Sequence, residues 1–160
     1  MLFRSKPAGS RPLTASDGAL SITSSAITVN PGAYSTSQSL VSAASSSISS
    51  GSSTLVTLTT KDAFGNLNPS GLPANYSILF TSSSVGGTGT FGSITNAGSG
   101  VYTANFTGVS AGSVTLGATL SGSAVSNNAT ITVNPAAATS LTLASIPASS
   151  IADRKSTRLN

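Results

Sequence analysis

The chain has 160 residues with no Cys, His or Trp, and only 6% of them are charged, against roughly a quarter in an ordinary globular domain. Without Cys or His there are no zinc ligands, no thiol nucleophile and no imidazole base. The net charge of +4 describes the ends of the chain: between Gly18 and Ala152 the charged residues are Lys61 and Asp62 alone, so a nucleic-acid or membrane-surface reading has no basic patch to rest on.

The first element in chain order is the end itself. "MLFRS", residues 1–5, resembles the translated reverse complement of a common short-read sequencing adapter, and "DRKSTRLN", residues 153–160, resembles the same adapter at every codon. Both ends are therefore read as adapter-derived, and the genuine segment as 6–152. Its charges, Lys6, Arg11 and Lys61 against Asp17 and Asp62, leave +1. Residues 1–10 contain no apolar h-region, and no apolar run approaches the roughly 20 residues that span a bilayer.

The motif "ITVNP" occurs at 27–31 and again at 131–135, an offset of 131 minus 27, or 104. "AGS" at 8–10 recurs at 111–113, an offset of 103, and "SLVSAASSSI" from Ser39 answers "SLTLASIPASSI" from Ser140. A repeat of this length is a whole small domain rather than a solenoid unit. The expected organisation is a C-terminal hairpin of a preceding domain at 6–31, a complete domain at 33–135, and the start of a third at 136–152. A lone hairpin is marginal in water, so 6–31 is expected to fray or to dock on its neighbour. Each Asn-Pro pair follows a strand, and proline holds the residue before it extended, so the connectors should be stiff.

Within 33–135 the pattern is short, alternating and punctuated by turn residues, which predicts an all-β sandwich. Predicted strands are 39–43, 54–60, 75–81, 88–92, 100–107, 113–120 and 129–134. Period-2 alternation puts Val56 and Leu58, Tyr76, Ile78 and Phe80, Tyr102, Ala104 and Phe106, Val114, Leu116 and Ala118, and Ala129, Ile131 and Val133 on core faces. The Ser-rich stretch 42–53 reads as the bend between the first two strands, with Ile48 turned inward. Helix is disfavoured throughout by Ser, Thr, Gly and β-branched residues.

Two motifs stand out: "D-x-x-G-N" at Asp62, Gly65 and Asn66, and "G-x-Y-x-A" at Gly100, Tyr102 and Ala104. With the sequences around them, over 39–133, they resemble the bacterial immunoglobulin-like repeats of the invasin and intimin class (Big-1-like). The resemblance implies tandem, extracellular or cell-surface sandwich domains forming a stalk, with neighbouring repeats of the same chain as partners. A distal binding domain is not visible in this sequence.

Candidate sites are few. Asp62 with Asn66 and Asn68 could offer oxygens to Ca²⁺, but one carboxylate is a poor start for an ion taking six to eight ligands. An Asx-type turn with Gly65 in a left-handed conformation is the preferred reading. N-x-S/T triplets at Asn75, Asn105 and Asn128 read as coincidence in a Ser, Thr and Asn-rich chain, with Asn75 and Asn105 expected inside strands. The rival function is a carbohydrate-binding or other ligand-binding β-sandwich module, and sugar binding would need exposed aromatic faces. Trp is absent, Tyr76, Phe80, Tyr102 and Phe106 fall in the core register, and Tyr34, Phe64 and Phe91 are the residues left near turns or linkers. The complete domain has one carboxylate, so a glycosidase pair is impossible, and no base serves its serines apart from Lys61. The sequence therefore predicts no catalytic residue, no cofactor and no metal.

Overall fold

A computed structural model describes residues 7–140. The segments read as adapter-derived and most of the expected third unit, from residue 141 on, lie outside the described residues. The described chain is all strand and turn. Its strands are β1 (Gly9–Arg11), β2 (Thr14–Asp17), β3 (Leu20–Thr23), β4 (Ile27–Val29), β5 (Leu40–Ala43), β6 (Ser47–Ser49), β7 (Ser53–Thr59), β8 (Ile78–Val85), β9 (Thr88–Phe91), β10 (Thr95–Gly98), β11 (Val101–Ser110), β12 (Gly112–Leu120), β13 (Ser123–Ala124) and β14 (Ala129–Asn134).

Two five-stranded sheets, built from β5 to β14, form the sandwich. In the first, β5, β7 and β11 are neighbours, and β9 and β10 share the far edge of β11 as one interrupted strand. In the second, β8, β12, β14 and β6 are neighbours, with β13 folded back on the end of β12. This is the immunoglobulin-like arrangement of two antiparallel sheets. Its one parallel pairing among the described strands joins β6 to β14, Ile48 opposite Val133.

The core lies between the sheets. Val41, Val56, Leu58, Tyr102, Ala104 and Phe106 from the first sheet meet Phe80, Val114, Leu116, Ala118, Leu120, Ile131 and Val133 from the second, and all are buried. Phe91 stacks on Phe80 with centroids 5.3 Å apart and meets Phe106 edge-on at 5.0 Å, a geometry that adds to the area these rings bury.

Several boundaries differ from the sequence expectation. The third strand starts at Ile78 and runs to Val85, whereas the expectation is 75–81. Asn75 and Tyr76 belong to a turn closed by the Tyr76 N–H donating to the Pro73 carbonyl at 2.9 Å, and "SSSV" carries no alternation yet pairs with β12 through Ser113 and its neighbours. The stretch 42–53 is more than a bend. It contains β6, which crosses into the second sheet, and Ile48 packs on the core as expected. Strands β10 and β13 fall outside the expectation, because their exposed residues show no apolar period.

Residues 9–29 form one interrupted hairpin of four short strands, where the expectation is two. β1 pairs β4 and β2 pairs β3, with Asp17 opposite Leu20 at the tip. The β1–β4 register, Gly9 to Val29, Ser10 to Thr28 and Arg11 to Ile27, matches that of Gly112 to Val133, Ser113 to Thr132 and Val114 to Ile131 at the repeat offsets. Side-chain burial does not match. Leu13, Ile22 and Ile27 are 43, 74 and 49% exposed, while their counterparts Leu116, Val125 and Ile131 are 0, 2 and 1% exposed.

Truncating Leu116 to Ala removes a fully buried side chain from the middle of the core, so it should destabilise the protein by about 2–5 kcal/mol. Leu79→Ala, on the outer face of β8, should cost less than about 0.5 kcal/mol. Urea unfolding of the two variants checks the contrast. Residues 33–135 alone should melt cooperatively, with a midpoint unmoved by chelator.

Candidate functional site

The one charged spot of the complete domain sits at the end of β7. Thr60 is buried, and both its N–H and its hydroxyl donate to the Gly100 carbonyl, at 2.9 and 2.8 Å. Gly100 has φ +75°, and a Cβ there would lie 2.4 Å from the Asn68 carbonyl oxygen. No side chain fits, which accounts for the first residue of "G-x-Y-x-A". Tyr102, two residues on, is buried and its hydroxyl accepts the Leu72 N–H at 2.9 Å. Ala104 completes the motif as a small buried residue of the core.

Residues 61–67 then turn back on themselves. Asp62 N–H donates to the Asn66 carbonyl at 2.9 Å, Gly65 N–H donates to the Asp62 carbonyl at 3.0 Å, and Lys61 bridges Leu67. Gly65 closes the three-residue loop at φ +83°, the left-handed conformation that such hairpin loops require at that position.

The Asp62 side chain is buried among donors. Its Oδ1 accepts the N–H groups of Phe64 and Asn66, each at 2.9 Å; its Oδ2 accepts the Asn66 side-chain amide at 2.8 Å and the Gly32 N–H at 3.0 Å. Burial by itself raises the pKa of this carboxyl. The bonds from the Asn66 amide and from the backbone of Gly32, Asn66 and Phe64 outweigh it and hold the group at about 2. A Ca²⁺ ion would need the same two oxygens, and all four donors pointing at them favour an anion with no cation beside it.

Two of the partners come from outside the domain's sheets. Gly32 belongs to the connector, and Ala8, just before β1, donates its N–H to Asn66 Oδ1 at 2.9 Å. The connector is also paired: Ser35 N–H donates to the Lys61 carbonyl at 2.7 Å, and Tyr34 bridges Asp62. Beside these bonds lies a shallow groove between the base of the hairpin (Val29, Pro31) and the domain (Leu67, Pro69). Nothing in the sequence marks Ala8 and Gly32, because both act through backbone N–H groups that every non-proline residue carries.

The other candidates do not gather here. Among the aromatics left near turns or linkers, Phe64 is 62% exposed, Phe91 joins the core rings, and Tyr34 meets Tyr76 edge-on at 4.8 Å. Asn75 lies in a turn rather than in a strand; Asn105 points outward from β11, and Asn128 is exposed just before β14.

The sequence profile of invasin domain 3 matches residues 35–136. The chain belongs to the invasin domain 3 family. Among solved structures, this invasin-type chain is 28% identical to the Escherichia coli adhesin FdeC over 79% of its own length and 40% of that chain, with a TM-score of 0.57. The Yersinia pseudotuberculosis adhesin InvE is 30% identical over 64% of this chain and 28% of its own, with a TM-score of 0.52. Y. pseudotuberculosis InvD shares the fold at 24% identity and a TM-score of 0.57, covering 85% of this chain and 41% of that one. The invasin-type chain thus spans less than half the length of each of these relatives. No curated protein sequence matches it.

The depressed pKa of Asp62 gives a pH signature. A carboxyl whose pKa falls on folding adds stability that is complete above its unfolded value near 4 and is lost as pH drops through its folded value. The urea midpoint should therefore fall as pH drops from about 4 to about 2. Asp62→Asn should lower the midpoint at neutral pH and flatten its dependence across that window.

Proposed function

We propose that this chain is a non-catalytic spacer repeat from the stalk of a larger bacterial cell-surface or secreted adhesin. The observation that carries this reading is the repeated ladder: β1–β4 has the register of β12–β14, and each ladder runs through an Asn-Pro pair at its end. Residues 6–31 are then the last hairpin of a preceding unit, residues 33–135 one whole unit, and residues 136–152 the beginning of the next. The exposed Leu13, Ile22 and Ile27 are the half-core that the rest of the preceding unit covers.

The surface suits a spacer. Ser and Thr hydroxyls solvate the outer faces with almost no charge, so successive units neither attract nor repel one another at long range. Membership in a family whose relatives are described as adhesins supports a bacterial surface or secreted setting. Partners of this segment are the neighbouring repeats of its own chain, and the binding end of the stalk lies elsewhere in the protein.

Long-read sequencing across the source locus should extend both ends into further units spaced by about 104 residues, with a secretion signal upstream. Calorimetry of the isolated 33–135 unit against bacterial and host polysaccharides should give no saturable heat. Saturable binding there would replace the spacer reading with that of a carbohydrate-binding module.

A further inference from the structure

We propose that the Asp62–Asn66 turn is the receiving half of an interdomain latch, and that its ligand is the base of the last hairpin of the preceding repeat together with the connector leaving it. The proposal rests on reading residues 7–31 as the end of such a repeat. It adds which groups hold two repeats at a fixed angle.

Three observations carry it. First, the turn grips both strands of the hairpin. Ala8 lies just before β1 and donates to Asn66, while Gly32 lies just after β4 and donates to Asp62. Since Gly9 and Val29 are paired, these bonds hold two adjacent strands at the base of one ladder. A single bond would leave a pivot, whereas two on neighbouring strands resist rotation about the connector. Second, the carboxylate is built for this task from within. Phe64 N–H and both donors of Asn66 fix its orientation, so Oδ2 is aimed at the connector whether or not a neighbour is present. Pro31 narrows the freedom of the one residue between Asn30 and Gly32.

Third, the donor half recurs at the far end of the complete domain. Ala111 stands 103 residues after Ala8, and Ala136 stands 104 residues after Gly32. The connector position tolerates that change, because a Cβ on Gly32 would approach Asp62 no closer than 3.8 Å, an ordinary contact. The N–H groups of Ala111 and Ala136 thus form a second docking surface, and its occupant is the Asp-x-x-Gly-Asn turn of another unit. Each unit carries a receiving turn at one end and donors at the other. Contacts of this head-to-tail kind leave one half unfilled at each end, and they extend into an open rod when the rotation between units does not close a ring.

The full chain contains no Cys, so nitroxide labels at Ser21→Cys on the hairpin and Ser83→Cys on β8 report the angle of the joint by pulsed electron resonance. The wild-type background should give one narrow distance distribution. Asn66→Ala should at least double its width, and should speed amide exchange at Ala8 about tenfold, the loss expected for one hydrogen bond, while β12 amides keep their protection. Ala8→Pro removes the donor from the hairpin side without touching the receiving domain and should broaden the distribution in the same way. A broad distribution in the wild-type background, or widths unchanged in both variants, would overturn the latch. Saturable polysaccharide binding would sink the spacer reading and leave the latch standing.

Discussion

The structure depends on two sheets each hiding one face from water while carrying almost no charge. Alternate residues of β7, β11, β12 and β14 face the opposite sheet, and the row from Val56 to Val133 fills the space between with mostly apolar side chains. Three rings, Phe80, Phe91 and Phe106, pack on one another within this row, and Phe106 lies so close to Gly89 that a Cβ there would clash. The outward faces need only hydroxyls to stay solvated. A chain with 6% charged residues is compatible with this because burial, and not ion pairing, is the main source of stability.

That core also sets the position of the one buried charge. Thr60 ends β7 by binding the Gly100 carbonyl at the start of β11, and the chain then reverses through Asp62. The turn is thereby anchored to the central pair of the first sheet. Its carboxylate is stabilised by four hydrogen-bond donors, which is how a single acidic residue survives burial in an otherwise neutral domain. Since two of the bonds on this turn come from the connector and from just before the hairpin, the same residues link the domain's interior to the chain that precedes it.

The hairpin at residues 9–29 shows how backbone and core separate. Its ladder repeats the register of β12 and β14, yet its apolar side chains stay in solvent. Hydrogen bonding between two adjacent strands is local and needs few residues. Burial needs the opposing sheet, and that sheet comes from distant parts of a unit.

Sequence by itself determined the fold class and most of the core, because an apolar period of two is a local property of the chain, as is the motif that recurs after 104 residues. Asp62, Gly65 and Asn66 were legible as a turn for the same reason. Tertiary structure alone decided the rest. Strand β6 changes sheets within a Ser-rich stretch whose one large apolar residue is Ile48. Ser82, Ser83 and Ser84 have no apolar period to mark them as strand, and they become strand by pairing with β12. Gly32 and Ala8, from before the domain, meet Asp62 and Asn66 through their main-chain N–H groups. Such groups are the same at every non-proline position, so only the folded path of the chain selects which of them reach the turn.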